Sequence, residues 1–345
     1  MKNSAEILNG LLAEDAGRVA SCFDFKKLAG KRVMVTGAGG LVGINILASL
    51  VRIAGKARGL KIAAVIHSKP AGFLAPLLEH KAVKVLRGDL TDEKFLKALP
   101  GSDIIIHAAG SGEPGRFMAA PLTSLKINTF TTFKLFEKLS PGGTFLFISS
   151  SEVYSGLKSP RYSENQIGTS NTDHPRACYI EGKRTGETIC ALYRQRGVNA
   201  SSVRLAQVYG PGTRPGDERA LPAFIKKGLK GKIELLDSGD AKRAYCYVSD
   251  AVELMWHIIL RGRHGCYNIG GTSTVKIREL ARRIGKLLEV PVFVPKVNAG
   301  VAGAPGAVLL DLRRILGEYG KKNFVGLEEG LVKTVNWHKN LGQAS

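Results

Sequence analysis

The chain has 345 residues, of which 44% are hydrophobic and 23% charged, close to the averages of globular proteins. This composition excludes a mainly disordered or fibrous chain, and the length suits two domains or one large α/β domain with an attached lobe. Lys and Arg number 50 against 29 Asp and Glu, so the net charge is +21, which favours an anionic partner such as a phosphorylated small molecule, nucleic acid or an acidic membrane.

The five cysteines form no CxxC pair, so a disulfide framework or a metal site is not expected, and a reducing compartment is favoured. The N-terminus has no apolar stretch followed by a small-residue cleavage site, which is not typical of a secretory signal. The longest nearly uncharged stretch, Val297–Leu310, is interrupted by glycines and a proline and is interpreted as a loop, too short and broken for a membrane helix. We therefore expect a cytoplasmic protein without a membrane segment.

Residues 1–30 predict a helical N-terminal extension. Apolar residues between Ile7 and Leu12 follow helical spacing behind Ser4, a candidate N-cap. We expect this helix to pack on the body of the protein or on a second subunit.

From residue 31 onward, short β-rich runs alternate with helical spacing. The predicted strands are Lys31–Thr36, Lys61–Ile66, Val83–Leu86, Asp103–His107, Thr144–Ile148 and Ser201–Leu205. Such alternation indicates βαβ units and a parallel sheet. The sequence thus predicts an α/β fold with a Rossmann-like, doubly wound parallel sheet. Residues 31–210 would form the dinucleotide-binding domain with the catalytic residues, and 211–345 mainly a smaller substrate-binding lobe interleaved with the sheet.

A glycine loop directly follows the first predicted strand and opens the first predicted helix. Gly37, Gly40 and Gly43 allow a tight turn, close approach of the backbone to a pyrophosphate, and close packing of helix on strand. The pyrophosphate would meet the start of the helix at Leu41 and Val42.

The residues after the second predicted strand leave the choice of cofactor open. An acid is expected there for the adenosine ribose of NAD, but the strand continues as His67-Ser68-Lys69. A hydroxyl and a lysine could instead receive the 2′-phosphate of NADP, or the three residues could be ordinary loop residues with the ribose held elsewhere. The prediction is therefore NAD or NADP.

A tyrosine and a lysine four residues apart are candidate catalytic residues. Tyr179 and Lys183 share one face of a predicted helix, and a nearby ammonium lowers the pKa of a phenol, which would make Tyr179 a general base. The strand that ends at Ile148 is followed by Ser149-Ser150-Ser151-Glu152, at the sheet edge where ligands bind in open α/β sheets.

The glycine loop, the serines at the strand end and the YxxxK motif follow one another along the chain, and other recognisable segments occur with them. They are Gly88-Asp89-Leu90, His107-Ala108-Ala109, Asn128, Tyr209-Gly210-Pro211, Arg243 with Tyr247-Val248-Ser249-Asp250, and Tyr267-Asn268-Ile269-Gly270. Together they resemble the extended short-chain dehydrogenase/reductases that act on nucleoside-diphosphate (NDP) sugars, over roughly Lys31–Asn340. Locally, Pro175–Arg184 and Ser151–Tyr154 are similar to UDP-glucuronate decarboxylases.

The resemblance implies a shared first step, in which Tyr179 removes the proton of the sugar C4 hydroxyl while a hydride passes to the nicotinamide. Ser150 would hydrogen-bond that hydroxyl, and Lys183 would hold the cofactor ribose. Glu152 occupies the place of the base that takes the C5 proton in 4,6-dehydratases, and Ser151 that of the acid for the leaving hydroxyl. A Ser-Glu pair also occurs in decarboxylases, so it does not separate these reactions.

The resemblance also implies the remaining contacts. The further cofactor residues are Asp89, Leu90, Ala108 and Ala109. The substrate residues are Ser111, Ser151, Gln207, Arg214 and Arg243, of which Arg243 would bind the diphosphate. A homodimer through the helices that carry Asn128 and Tyr179 is implied as well.

The resemblance favours a 4,6-dehydratase or epimerase. The alternatives are a UDP-glucuronate decarboxylase, or a C4 dehydrogenase that stops at the 4-keto sugar. Decarboxylases usually have an arginine directly after the "GP" pair, whereas this chain continues as Gly212-Thr213-Arg214. An alternative of another class is a non-catalytic, RNA-binding or regulatory Rossmann protein; the absence of a basic run interleaved with aromatic residues speaks against nucleic acid.

Overall fold

A computed structural model describes residues 3–158, 161–296 and 307–342. Most of the predicted loop Val297–Leu310 lies outside these residues. The helices are α1 Ser4–Ser21, α2 Leu41–Ala54, α3 Ala75–Leu78, α4 Glu93–Ala98, α5 Pro114–Ala119, α6 Pro121–Asn128, α7 Phe130–Phe136, α8 Ala177–Gln195, α9 Ala220–Gly228, α10 Val248–Arg261, α11 Ile277–Leu288, α12 Arg313–Tyr319 and α13 Leu327–Leu341.

The strands alternate with these helices along the chain. They are β1 Arg32–Thr36, β2 Lys61–Ile66, β3 Val83–Arg87, β4 Ser102–His107, β5 Leu139–Ser150, β6 Asn199–Leu205, β7 Gln207–Tyr209, β8 Ile233–Glu234, β9 Lys242–Tyr247, β10 Cys266–Ile269, β11 Ser273–Lys276, β12 Val292–Phe293 and β13 Ala307–Val308.

Within the described residues, the main sheet has seven strands in the order β10-β6-β5-β4-β1-β2-β3. Every neighbouring pair in it is parallel. The order reverses between β1 and β4, so the carboxyl ends of these strands flank the crevice in which open α/β sheets bind ligands. The predicted Rossmann-like fold class is confirmed.

The second half of the chain forms a smaller layer and also completes the main sheet. Strands β11, β9 and β13 form a small sheet, β7 pairs with β9, and β12 pairs with β8. Strand β10 returns to the edge of the main sheet beside β6. The lobe is therefore interleaved with the sheet, while the proposed domain boundaries stay a prediction.

The N-terminal helix α1 packs on the body of the protein. Its buried Leu8 and Leu12 share an apolar cluster with Ile44 of α2 and Trp337 of α13. The predicted cap at Ser4 is wrong: Asn3 caps the helix, because its side chain accepts a hydrogen bond from the Glu6 amide at 2.9 Å.

The predicted strand Thr144–Ile148 is also too short. Strand β5 begins at Leu139, which pairs with Ser102 of β4. The register then shifts, and the next pair is Ile104 with Thr144. The intervening proline and glycines are poor strand formers, so the residue pattern hides the first part of this strand.

Candidate active site

Strand β5 and helix α8 bring the predicted catalytic residues together. Ser150 is the last residue of β5, and Tyr179 and Lys183 lie one turn apart on α8. All three are buried, and the Ser150 side chain lies close enough to the Tyr179 phenol to favour its charged form. Lys183 Nζ donates to the Ile148 carbonyl at 2.7 Å and lies 5.6 Å from the centroid of the Tyr179 ring.

The protonation of this pair differs from the sequence-based expectation. Burial raises the pKa of Tyr179 to about 12, and the opposing effects of the Ser150 hydrogen bond and the Arg219 charge do not offset it. Burial also lowers the pKa of Lys183 to about 7. The prediction that Lys183 lowers the pKa of Tyr179 is therefore wrong for this structure, because removing both groups from water disfavours each charged form.

The segment that follows β4 covers one side of Tyr179. Phe117 of α5 stacks on the tyrosine ring with the centroids 4.5 Å apart and the planes at 8°. A Cβ atom on Gly112 would lie 3.5 Å from the tyrosine hydroxyl, so this segment borders the reactive oxygen. The predicted substrate residue Ser111 lies in the same segment, where its Oγ accepts from the Glu113 amide at 3.2 Å.

Glu152 lies in the short helical turn Ser151–Tyr154, which directly follows Ser150. The Glu152 amide donates to Ser150 Oγ at 3.2 Å, which ties the two candidate residues together. Arg176 Nη1 approaches both Glu152 oxygens, at 3.0 and 3.3 Å, from the residue before α8. The candidate base is thus held as one member of a partly buried ion pair.

The glycine loop fits a dinucleotide. Gly37 has a φ of +68°, and a Cβ there would lie 2.5 Å from the Ala108 carbonyl oxygen, so the turn requires glycine. A Cβ on Gly40 would meet only Gly37 O at 3.4 Å, which leaves the space in front of α2 accessible. The predicted residues Leu41, Val42 and Gly43 form the first turn of α2, whose N-terminal amides suit a pyrophosphate.

The other predicted cofactor residues surround this loop. His67, Ser68 and Lys69 are exposed directly after β2. The remaining residues of this group are Asp89 and Leu90, which follow β3, and Ala108 and Ala109, which follow β4. The strands thus bring these residues to one edge of the sheet, in the order that a dinucleotide requires.

Three of the predicted substrate residues lie on or shortly after the paired strands β7 and β9. Gln207 lines a shallow cavity together with Arg219 and Tyr245. Arg243 lies on the neighbouring strand β9, where Nη1 donates to the Lys242 carbonyl at 2.8 Å. Arg214 instead forms an ion pair with the buried Glu113 at 3.4 Å, so a carboxylate of the protein already contacts it.

Sequence reasoning gave no role to three charged residues of this site. Arg176 and Arg219 lie close enough to affect the candidate catalytic carboxylate and phenol, respectively, and Glu113 bridges two loops. Arg219 is itself held by Asp217 at 2.6 Å. The only indication in the sequence was Arg176, which stands in the segment similar to the decarboxylases.

Other residues of the recognised segments have structural contacts. Asp250 accepts hydrogen bonds from Arg18 of α1 and from the Val325 amide. Asn268 accepts from the Tyr154 hydroxyl and donates to the Tyr162 carbonyl. These contacts join the N-terminal helix to α10, and the long segment before α8 to strand β10 of the sheet.

Two absences hold for residues 3–158, 161–296 and 307–342. No group of three or more His, Cys, Asp and Glu side chains in them could hold a metal ion. None of their helices is both long and apolar enough to span a bilayer.

A glycine-rich turn beside a buried Ser-Tyr-Lys group on a seven-stranded parallel sheet defines a dinucleotide-dependent enzyme of the short-chain dehydrogenase/reductase type. Residues 33–270 match the NAD dependent epimerase/dehydratase family, and the chain belongs to that family. The expected enzyme class, an NAD(P)-dependent epimerase/dehydratase that modifies nucleotide sugars, is confirmed, while its specific reaction stays open.

Three known proteins illustrate the range of similarity. UDP-glucuronic acid decarboxylase 1 of Xenopus tropicalis is 28% identical over 314 residues, covering 90% of this chain and 72% of the relative. The dTDP-4-dehydro-6-deoxy-D-allose reductase of Streptomyces bikiniensis is 28% identical over 324 residues, covering 90% and 97%. The solved dTDP-glucose 4,6-dehydratase of Streptomyces venezuelae, with NAD bound, has a TM-score of 0.77 at 24% identity, covering 89% of this chain and 97% of that one, and shows the shared fold.

Proposed function

We propose that the protein is a nucleoside-diphosphate-sugar 4,6-dehydratase that begins by oxidising the sugar C4 hydroxyl. The observation that carries this proposal is the cluster at the end of β5, where Ser150 contacts both Tyr179 and the backbone of Glu152. A base for the C4 hydroxyl and a carboxylate for a neighbouring carbon are thereby held beside one another. The relatives named above all act on nucleotide sugars, according to their names.

In the first step, Tyr179 Oη takes the proton of the C4 hydroxyl, and Ser150 Oγ positions that hydroxyl. Burial raises the pKa of Tyr179 to about 12, so the neutral phenol dominates in this structure, while the Ser150 side chain and the charge of Arg219 act in the opposite direction and favour the phenolate. A bound nicotinamide supplies the hydride acceptor at C4 and the hydride donor at the end of the cycle. Lys183 would hold the cofactor ribose.

The second step uses the acidity that the C4 ketone gives to C5. Glu152 takes the C5 proton and passes it to the C6 oxygen, which the Ser151 hydroxyl would hydrogen-bond, so that the C6 hydroxyl leaves as water. The returned hydride then goes to C6, and a proton from solvent replaces the one lost from C5. Arg176 Nη1 contacts the Glu152 carboxylate at 3.0 Å and fixes its orientation. Arg243 and Gln207 would bind the diphosphate and the sugar.

A second candidate is decarboxylation of a nucleotide-linked uronic acid. Arg214 favours it, because a guanidinium in contact with a carboxylate of the protein could also bind a substrate carboxylate. Its existing ion pair with Glu113 is the reason that we rank this candidate second.

The test is mass spectrometry after incubation with UDP-, GDP-, CDP- and dTDP-hexoses and UDP-glucuronate in D₂O. We expect loss of water with one deuterium at C5 from one hexose, and Tyr179→Phe should abolish turnover while nucleotide binding is kept. Glu152→Gln should still form the 4-keto sugar without deuterium at C5. Loss of carbon dioxide would identify the decarboxylase, and unchanged turnover of Tyr179→Phe would contradict the assigned base.

We also propose a cytoplasmic homodimer. Apolar side chains are exposed on neighbouring helices of one face: Met118 on α5, Leu122 and Leu125 on α6, Phe133 on α7 and Leu192 on α8. An apolar face of this kind suits burial against a second copy.

A further inference from the structure

The residues that directly follow β2 lie beside the glycine loop. The Ala38 amide of that loop donates to the Val65 carbonyl at 3.1 Å. The side chain of Ile66, the last residue of β2, lies 3.9 Å from the position of a Cβ on Gly39. In a doubly wound sheet the adenosine ribose of a dinucleotide lies at this place, next to the pyrophosphate loop.

The side chains at this place are basic or hydroxylic. His67, Ser68 and Lys69 are exposed after β2, and Arg87 is exposed at the end of the neighbouring strand β3, in register with Ile66. Residues 67–71 contain no carboxylate. An acid here would accept hydrogen bonds from the ribose hydroxyls and would repel a phosphate, whereas a hydroxyl and cations attract one.

The two acids that follow β3 are engaged in local turns. Asp89 Oδ1 accepts from the Thr91 amide at 2.8 Å and from the Thr91 hydroxyl at 2.9 Å. Asp92 caps α4 through the Lys94 amide at 2.8 Å. These carboxylates stabilise their own turns. Asp89 also interacts electrostatically with His67, so one acid borders the segment after β2 from the neighbouring strand, while the segment itself contains none.

The segment after β2 is fixed at both ends. The Ile66 carbonyl accepts from the Gly88 amide at 3.0 Å. Seven residues later, Phe73 packs edge-on against Trp337 with the ring centroids 5.1 Å apart, and Leu74 is buried. A segment held so closely can present its hydroxyl and ammonium groups with little loss of conformational freedom.

We infer that His67, Ser68, Lys69 and Arg87 form a subsite for the 2′-phosphate of NADP, so the chain binds NADP in preference to NAD. This inference rests on the nucleotide site of the proposed function and departs from the NAD in the description of the family. Ser68 would donate to a phosphate oxygen, and Lys69 and Arg87 would supply the compensating charge.

Isothermal titration calorimetry of the full chain with NADP⁺ and NAD⁺, without sugar, tests the subsite. We expect NADP⁺ to bind at least about tenfold more tightly, because the phosphate gains charge-assisted hydrogen bonds, and the advantage should shrink in high salt. Equal or tighter binding of NAD⁺ overturns this inference alone. Binding of neither nucleotide overturns the proposed function with it.

Single substitutions test which side chains cause the preference for NADP⁺. Lys69→Ala and Arg87→Ala should each weaken NADP⁺ binding by about three- to tenfold and leave NAD⁺ binding unchanged, as expected for one exposed phosphate contact. Ser68→Asp should reverse the preference by adding a ribose acceptor that repels the phosphate. Lys84→Ala is the control, since this exposed lysine lies on β3 about 10 Å before Arg87. An equal effect of Lys84→Ala and Lys69→Ala would contradict the subsite.

Discussion

Arg176 illustrates how a residue that need not touch the substrate can decide the chemistry of one that does. Its guanidinium contacts both oxygens of Glu152, while its carbonyl accepts from the amides of Tyr179 and Ile180 at the start of α8. It therefore joins the candidate C5 base to the helix that carries the candidate C4 base. We regard it as a positioning residue for the second proton transfer.

Arg176→Ala should separate the two steps. Without the guanidinium, Glu152 loses its orientation and its compensating charge, so deuterium exchange at C5 should slow by about tenfold or more, the effect of losing a charge-assisted contact. Formation of the 4-keto sugar should stay within about threefold, because the Ser150–Tyr179 contact is kept. Rapid-quench mass spectrometry in D₂O measures both rates on one sample.

Two further variants make this prediction specific. Arg176→Lys should recover part of the exchange rate, because an ammonium restores the charge without the planar geometry. Arg196→Ala removes an exposed arginine at the other end of α8 and should change neither rate. A parallel loss of both steps in Arg176→Ala would show that the residue only supports the fold.

The residues that the sequence could predict are those whose role follows from a local pattern. The glycine loop, the strand-end Ser150 and the Tyr179–Lys183 spacing each depend on one strand or one helix, and the structure places them together. By contrast, the Glu113–Arg214 ion pair joins positions 101 residues apart, and the stacking of Phe117 on Tyr179 joins α5 to α8. Such contacts depend on which segments meet in three dimensions, about which local periodicity says nothing.

At the scale of the elements, burial explains why the residue pattern predicts the strands correctly but does not predict the pKa of Tyr179. Strand β2 runs from Lys61 to Ile66 as predicted, because its apolar run is buried. The same burial raises the pKa of Tyr179, which the spacing alone predicted to fall. Distances along a helix predict proximity, but the desolvation of a group depends on everything packed around it.

Helix α1 carries a buried carboxylate that makes its docking sensitive to pH. Asp15 Oδ2 accepts from the Tyr247 hydroxyl at 2.8 Å, and within the described chain Oδ1 has no hydrogen-bond partner. Burial is the main reason that the pKa of Asp15 is raised from 3.8 to about 6. Since the folded state holds this proton more tightly than the unfolded one, the stabilising contribution is complete below pH 3.8 and is lost as the pH rises through 6.

Asp15→Asn should therefore stabilise the protein at neutral pH. An ionised, poorly solvated Asp15 costs up to about 3 kcal/mol at pH 7.5, whereas the amide stays neutral, so the gain of the variant should grow between about pH 4 and 7. Urea unfolding followed by tryptophan fluorescence measures it. The control is Glu14→Gln, whose side chain is exposed and paired with Lys333 on the surface. A gain that is constant with pH would contradict the titration of Asp15.

Across the whole molecule, the cationic surface exceeds what the net charge of +21 suggests. Among the described residues, more acids than cations are buried: the buried acids are Asp15, Glu113, Asp217, Asp250 and Glu253, and the buried cations are Lys183 and Arg204. Most of the other positive groups in the described part of the chain are therefore at least partly exposed to solvent. This distribution suits the attraction of an anionic dinucleotide and an anionic sugar nucleotide to the same edge of the sheet.

The apolar face formed by α5–α8 leads to the last prediction. Leu122 is 80% exposed on α6, and Leu192 is 52% exposed on the adjacent α8. Leu122→Glu should convert a dimer into a monomer, because a carboxylate buried in an apolar interface loses its hydration. Sedimentation velocity measures the mass, and circular dichroism verifies the fold.

Leu236→Glu is the matched control. Leu236 is 81% exposed but lies in the lobe, away from α5–α8, so this variant should remain dimeric. A monomeric unmodified chain, or equal dissociation of both variants, would contradict the interface.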